Sequence, residues 1–213
     1  MDVIGVDPAS EEVPRRAVRV LGEGGLVAFP TDTFYALGAN ARDETAVARV
    51  FAAKRRPREA PLPVLIADRE QWRALVADLP EVAMRLAARF WPGALTIVCR
   101  CGPGIPPVLV GGGNAIGVRQ PALPVAIGLC RAFGRPIVGT SANVHGSPAP
   151  TTAVQVALDL GEAVDLILDG GRCPLARPST VIDVTRTPPV VVRVGAVPLE
   201  AVREVLGEVA VAR

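Results

Sequence analysis

The chain has 213 residues, 50% of them hydrophobic and 21% charged, with a formal net charge of +2. That is enough apolar material for a sizeable core, in one large domain or two small ones, and the charge is too small to argue for nucleic acid by itself. The N-terminus "MDVIGVDPASEE" is short of apolar length and no run is long enough to span a bilayer, so the sequence reads as free of membrane segments, soluble and cytoplasmic.

In chain order, helix and strand patterns alternate throughout. Ser10 to Leu21 is amphipathic and stops at "GEGG". "LVAFP" reads as a short buried strand ending at Pro30. Asp43 is placed to cap a helix whose apolar face is Ala46, Val47, Val50 and Phe51. It runs into a basic knot of Lys54, Arg55, Arg56 and Arg58, where Pro57 breaks it. "LPVLIA" is a strand, and "EVAMRLAARFW" a helix closed by Pro92 and Gly93. "ALTIVCR" and "AIGVR" are strands separated by a glycine- and proline-rich loop. "PVAIGLCRAFG" is a helix, "RPIVGT" a strand, "TTAVQVALDLG" a helix and "VDLILDGG" a strand. "STVIDVT" and "VVVRV" are adjacent strands, so some pairing is antiparallel, and "LEAVREVLGEV" closes the chain. About seven strands and six helices predict an α/β domain spanning residues 1–213, a single mixed sheet covered by helices.

Three segments fall where strands begin or end: "FPTDTFYALG", "GTSANVHGSPAPTT" and "GGRCPLARPST". They hold three of the four serines, with Thr31, Thr33, Thr140 and Asn143, and loops at strand ends are where open sheets bind ligands. Such residues also cap helices and make turns, as "PTT" before Ala153 does. Asp32, Asp169 and Asp183 are candidate carboxylates that equally suit turns. Of 23 basic residues only Lys54 is lysine, which suggests a place where a compact ammonium serves and a planar guanidinium does not. A Walker loop is absent because no Gly precedes a Lys, and Ser141 with His145 lacks the G-x-S-x-G elbow. Four cysteines without C-x-x-C, and one His, argue for idle thiols and against a zinc site.

Taken together, "FPTDTFYALG", "KRRP", "FWPGALTIV", "GVRQPALP", "TSANVHGSPAPT", "STVIDV" and "VVRVGA" resemble the YrdC family from about Val20 to Gly195. The resemblance implies one twisted mixed sheet with a concave, positively charged cavity, in a chain of the single-domain type. It implies a nucleotidyltransferase that makes threonylcarbamoyl-adenylate and pyrophosphate from L-threonine, bicarbonate and ATP with Mg2+. The product would serve transfer RNA modification, with tRNA or modification proteins as partners. By the same resemblance, Thr33 and Ser179 contact threonine and Arg119 binds its carboxylate. Lys54 and Arg56 are the catalytic pair facing phosphates and carbamate. Ser141, Asn143, Arg193 and Arg56 meet ATP. The chain departs from the family pattern with apolar residues at Ala60, Leu65, Ala115, Ala149 and Pro178. "PTDTFYALG" and "RPSTVIDVT" lean towards the YciO branch. Two other readings therefore stand beside the synthase: a nucleotide- or RNA-binding protein on the same fold, and a carbamoyl-transfer enzyme with a different acceptor.

Overall fold

A computed structural model describes residues 1–212. The α/β class holds, and the expected single sheet resolves into two mixed sheets. The five-stranded sheet runs β1 (Asp2–Gly5), β9 (Leu166–Asp169), β2 (Val27–Phe29), β3 (Ala36–Gly38) and β8 (Thr140–Ser141). The seven-stranded sheet runs β12 (Ala210–Val211), β11 (Val190–Arg193), β10 (Thr180–Asp183), β5 (Leu95–Arg100), β6 (Ala115–Arg119), β4 (Val64–Leu65) and β7 (Ile137–Val138). The expected antiparallel pairing of the late strands is that of β10 with β11.

The division has a local cause. The predicted strand "RPIVGT" breaks at Gly139, so β7 pairs with β4 and β8 with β3. A Cβ on Gly139 would lie 2.3 Å from Cγ of Leu65, so no other residue fits where the chain crosses between sheets. The apolar interior divides accordingly. One large cluster contains Leu37, Val50, Phe51, Leu95, Ile97 and Ile182. A second gathers Leu21, Phe29, Leu129 and Leu168.

Among the described residues seven α-helices cover these sheets: α1 (Arg15–Gly22), α2 (Glu44–Lys54), α3 (Arg69–Arg73), α4 (Glu81–Phe90), α5 (Pro124–Phe133), α6 (Ala153–Leu160) and α7 (Leu199–Leu206). The first begins at Arg15, not Ser10. The Ser10 hydroxyl accepts the Glu12 amide in a local turn, and Pro14 disfavours helix at the residue before it. Residues 8–11 instead run against α5, where Gly128 lets the Glu11 backbone approach to 2.0 Å from the position a Cβ would take. The strands β1, β3 and β12 and the helix α3 went unread because each is only two to five residues long and carries no periodic pattern.

Helix α2 delivers the basic knot. Asp43 accepts the amides of Thr45 and Ala46, and Ala46, Val47, Val50 and Phe51 are all buried. The helix ends at Lys54, three residues before Pro57. Arg55 adopts φ 50° and ψ 39°, and the amides of Arg55 and Arg56 turn back to the carbonyls of Ala52 and Phe51. Lys54 is thereby left inside, and Arg56 is swung towards the space between the sheets. A side chain in the left-handed region is strained, by about 1–2 kcal/mol. Arg55→Gly is therefore expected to raise stability by about 0.5–1 kcal/mol after the entropy glycine adds to the unfolded chain. Urea unfolding at constant m checks this, and a loss of stability would contradict it.

Candidate active site

A cavity of about 630 Å³ opens where the two sheets meet, within the range of small-molecule sites. Alternate residues of the seven-stranded sheet form its floor: Thr96 and Val98 on β5, Ala115, Gly117 and Arg119 on β6. Gly117 keeps that floor low, since a Cβ there would press within 3.2 Å of the Thr96 methyl. The facing wall is Thr31 and Thr33 to Ala36 with Thr140 and Ser141, and Arg56 and Arg193 reach in from the sides.

Arg119 is the deepest charge. It is 6% exposed, and its Nη2 lies 2.6 Å from Oδ2 of Asp32, itself 5% exposed. The contact is an ion pair out of line for a hydrogen bond, so neither atom has a hydrogen-bond partner among the described residues. Arg119 Nε donates to the Gly93 carbonyl at 2.9 Å and Nη1 to the Thr33 hydroxyl at 2.8 Å. Asp32 Oδ1 accepts the Ala122 amide at 2.9 Å. A guanidinium has five N–H groups. Hydrogen bonds to Gly93 and Thr33 engage two of them, and Nη2 lies against Asp32 as an ion pair, so the guanidinium keeps donor capacity for a ligand.

Ser179 sits beside this centre, its hydroxyl 2.8 Å from that of Thr96. Arg193 donates to the Ser179 carbonyl through Nε (3.1 Å) and Nη2 (3.0 Å), and Nη2 also reaches the hydroxyl at 3.2 Å. Arg56 is held by the carbonyls of Ala60 and Pro61 and by Nδ1 of His145 at 3.4 Å. The cavity thus carries three guanidinium groups, and among the described residues no Asp or Glu side chain lines it. Burial lowers the pKa of each. For Arg193 the charges of Arg119 and Arg56 add to that depression, so the cations repel one another across the space. Arginine does not give up its proton, so an anion is what the arrangement calls for.

The structure brings together Thr33, Arg56, Arg119, Ser141, Ser179 and Arg193 on one cavity surface. It places Lys54 and Asn143 elsewhere. Lys54 is 2% exposed, and its ammonium lies behind the wall on the carbonyls of Ser141 (2.5 Å) and Asn143 (2.7 Å). Burial, then the charge of Arg56, lowers its pKa to about 8, with Asp159 opposing. Asn143 turns its amide to the carbonyls of Val144 and Ser147. In this structure the polar atoms of both are engaged in the loop, and neither residue lines the cavity.

Asp169 and Asp183 hold turns, through the amides of Gly171 and Thr185. Four of the five apolar departures, Leu65, Ala115, Ala149 and Pro178, line the cavity; Ala60 instead offers its carbonyl to Arg56. Thr96 was missed. Its signal was a hydroxyl two positions before Val98 in the otherwise apolar "ALTIV", a spacing that puts both on one face. Burial pushes the thiols of Cys99 and Cys173 up to about 12 and about 11, as expected of idle cysteines.

A model of the Sua5, YciO and YrdC proteins, described as "Telomere recombination", matches residues 19–195. The chain belongs to that family. It is 47% identical over 195 residues to the threonylcarbamoyl-AMP synthase of Pyrococcus abyssi, covering 92% of this chain and 57% of that one. It is similar to the crystal structure of P. abyssi Sua5 complexed with L-threonine, with TM-score 0.95 and 44% identity, over all of this chain and 63% of the other. It is also similar to E. coli YciO, with TM-score 0.82 and 30% identity, over 94% of this chain and 97% of the other. The chain thus spans little more than half the length of the P. abyssi synthase.

Removing one partner of a buried ion pair leaves the other charge uncompensated. Arg119→Ala is therefore expected to cost about 3–5 kcal/mol of stability, beyond any effect on binding. The double variant Asp32→Ala with Arg119→Ala should lose less than the sum of the two single variants. Denaturant midpoints of the four proteins measure this coupling; additive losses would contradict it.

Proposed function

We propose that the cavity makes threonylcarbamoyl-adenylate from L-threonine, bicarbonate or CO2, and ATP. The observation that carries the reading is the set of three guanidinium groups around one 630 Å³ cavity whose wall, among the described residues, has no carboxylate side chain. Every participant in that reaction is an anion or becomes one. The names of the P. abyssi relatives supply the substrate class.

In this reading Arg119 takes the threonine carboxylate with the N–H groups that Gly93 and Thr33 leave free. The buried hydroxyls of Thr33, Thr96 and Ser179 surround the amino acid and read its hydroxyl. The threonine amine adds to CO2, forming the N–C bond of a carbamate and releasing a proton. A carbamate oxygen then attacks the α-phosphorus of ATP, a new P–O bond forms, and the α–β bridge breaks with pyrophosphate carrying away the electron pair. Arg56 and Arg193 offset the repulsion between carbamate and phosphates, and the protein's main task is to hold two anions in line.

Mg2+ enters with ATP as part of the substrate. The described residues contain no cluster of three or more His, Cys, Asp or Glu poised for a metal, so phosphate oxygens and water would be its ligands. The product's use in transfer RNA modification follows from the same reading. The apolar wall of Leu65, Ala115, Ala149 and Pro178 favours one alternative, the same carbamate chemistry on a different acceptor. The described residues contain no helix long and apolar enough to cross a membrane.

The test is incubation with labelled L-threonine, bicarbonate, ATP and Mg2+, followed by mass spectrometry. Threonylcarbamoyl-adenylate and pyrophosphate in equal amounts are expected. Pyrophosphate released only when another amino acid replaces threonine would move the assignment to the alternative, and no adenylate with any amino acid would overturn both.

A further inference from the structure

We propose that Lys54 is a positioning residue, its buried ammonium holding the 141–147 loop in the shape that presents Ser141 to the phosphate-bearing substrate. The proposal deepens the reading above and rests on it for the identity of that substrate.

An ammonium has three N–H groups, and Lys54 Nζ has three oxygens within reach: Ser141 O at 2.5 Å, Asn143 O at 2.7 Å and Asn143 Oδ1 at 3.5 Å. The backbone carbonyl of Lys54 accepts the His145 amide at 2.7 Å. One residue at the end of α2 therefore grips the loop at residues 141, 143 and 145. From the other side, Asp159 on α6 accepts the Val144 amide at 2.9 Å. Of the residues Lys54 grips, only Ser141 lines the cavity.

Without the ammonium, the Asn143 carbonyl would lose its hydrogen-bond partner and the Ser141 carbonyl would keep only the Asn143 amide, so the loop would move to reach water. A guanidinium does not fit the place. At 2% exposure there is no room for extra heavy atoms, and a planar fork cannot reproduce three convergent bonds from one nitrogen. That accounts for the single lysine among 23 basic residues. Thr33, Arg119 and Ser179 are held by a separate network that does not include Lys54. Loss of Lys54 should therefore reach the nucleotide and spare the amino acid.

The experiment uses wild type, Lys54→Met, Lys54→Arg, Ser141→Ala and the double variant Lys54→Met with Ser141→Ala. Each is titrated calorimetrically with a non-hydrolysable ATP analogue and with L-threonine, and amide hydrogen exchange is followed over residues 141–147. Lys54→Met and Lys54→Arg are expected to weaken the analogue about tenfold or more while threonine stays within about twofold. Exchange should accelerate in the loop alone. The double variant should bind the analogue no more weakly than Lys54→Met, because the lysine acts through Ser141. Unchanged loop exchange, or losses that multiply in the double variant as direct phosphate contact would give, overturns the proposal. If Lys54→Met does not fold, Asp159→Ala releases the same loop from its other side and is expected to show the same split; unchanged analogue affinity there counts against it. Failure of wild type to bind the analogue would sink the functional reading instead, leaving the loop-holding role to be decided by exchange.

Discussion

The ion pair of Arg119 with Asp32 is the constraint on which the rest of the site depends. Two charges taken out of water need close approach and further partners, because desolvation of each costs several kcal/mol. The chain meets that demand by bringing four separate stretches to one point. The end of β6 supplies Arg119 and the loop after β2 supplies Asp32 and Thr33. The turn after α4 supplies the Gly93 carbonyl, and the segment before α5 supplies the Ala122 amide. The Asp32 carbonyl also accepts the Leu175 amide, which ties in the loop that leads to Ser179. The pair therefore fixes the Arg119 end of the cavity from both sheets at once.

Around that anchor the site is asymmetric in charge. Asp32 balances Arg119 from below, while the cavity face keeps its cations. Arg56 and Arg193 reach the same space by different devices, the left-handed turn at Arg55 and a pair of hydrogen bonds from Arg193 to the Ser179 carbonyl. Two glycines keep the space open, Gly117 on the floor and Gly139 at the crossing between sheets. Positioned cations in a partly dehydrated cleft stabilise developing anionic charge without rearranging during reaction, as the proposed adenylate formation would require.

Much of this was legible in the sequence, for reasons that can be named. The cap at Asp43 and the apolar face of α2 follow from spacing, as does the box in which Thr152 caps α6 and Gln155 reaches back. Ser, Thr and Asn collected in strand-end loops, and most of them do line the cavity. What could not be read were contacts far apart in the chain. Nothing local to Asp32 indicates that Arg119 lies against it, and nothing in "KRRP" distinguishes a lysine facing a ligand from one buried behind the wall. The second sheet was also hidden, because strands of two or three residues, such as β3 and β8, are too short to show alternation.

The proposed chemistry depends on a carboxylate seated on Arg119 in the cavity. The most direct test changes the ligand and leaves the protein whole: calorimetric titration of wild type with L-threonine and with L-threoninamide, which keeps the side chain and amine but lacks the negative charge. A charge-assisted bond of about 1.5–3 kcal/mol predicts that the amide binds roughly 10- to 100-fold more weakly. Equal affinity for the two would contradict the account.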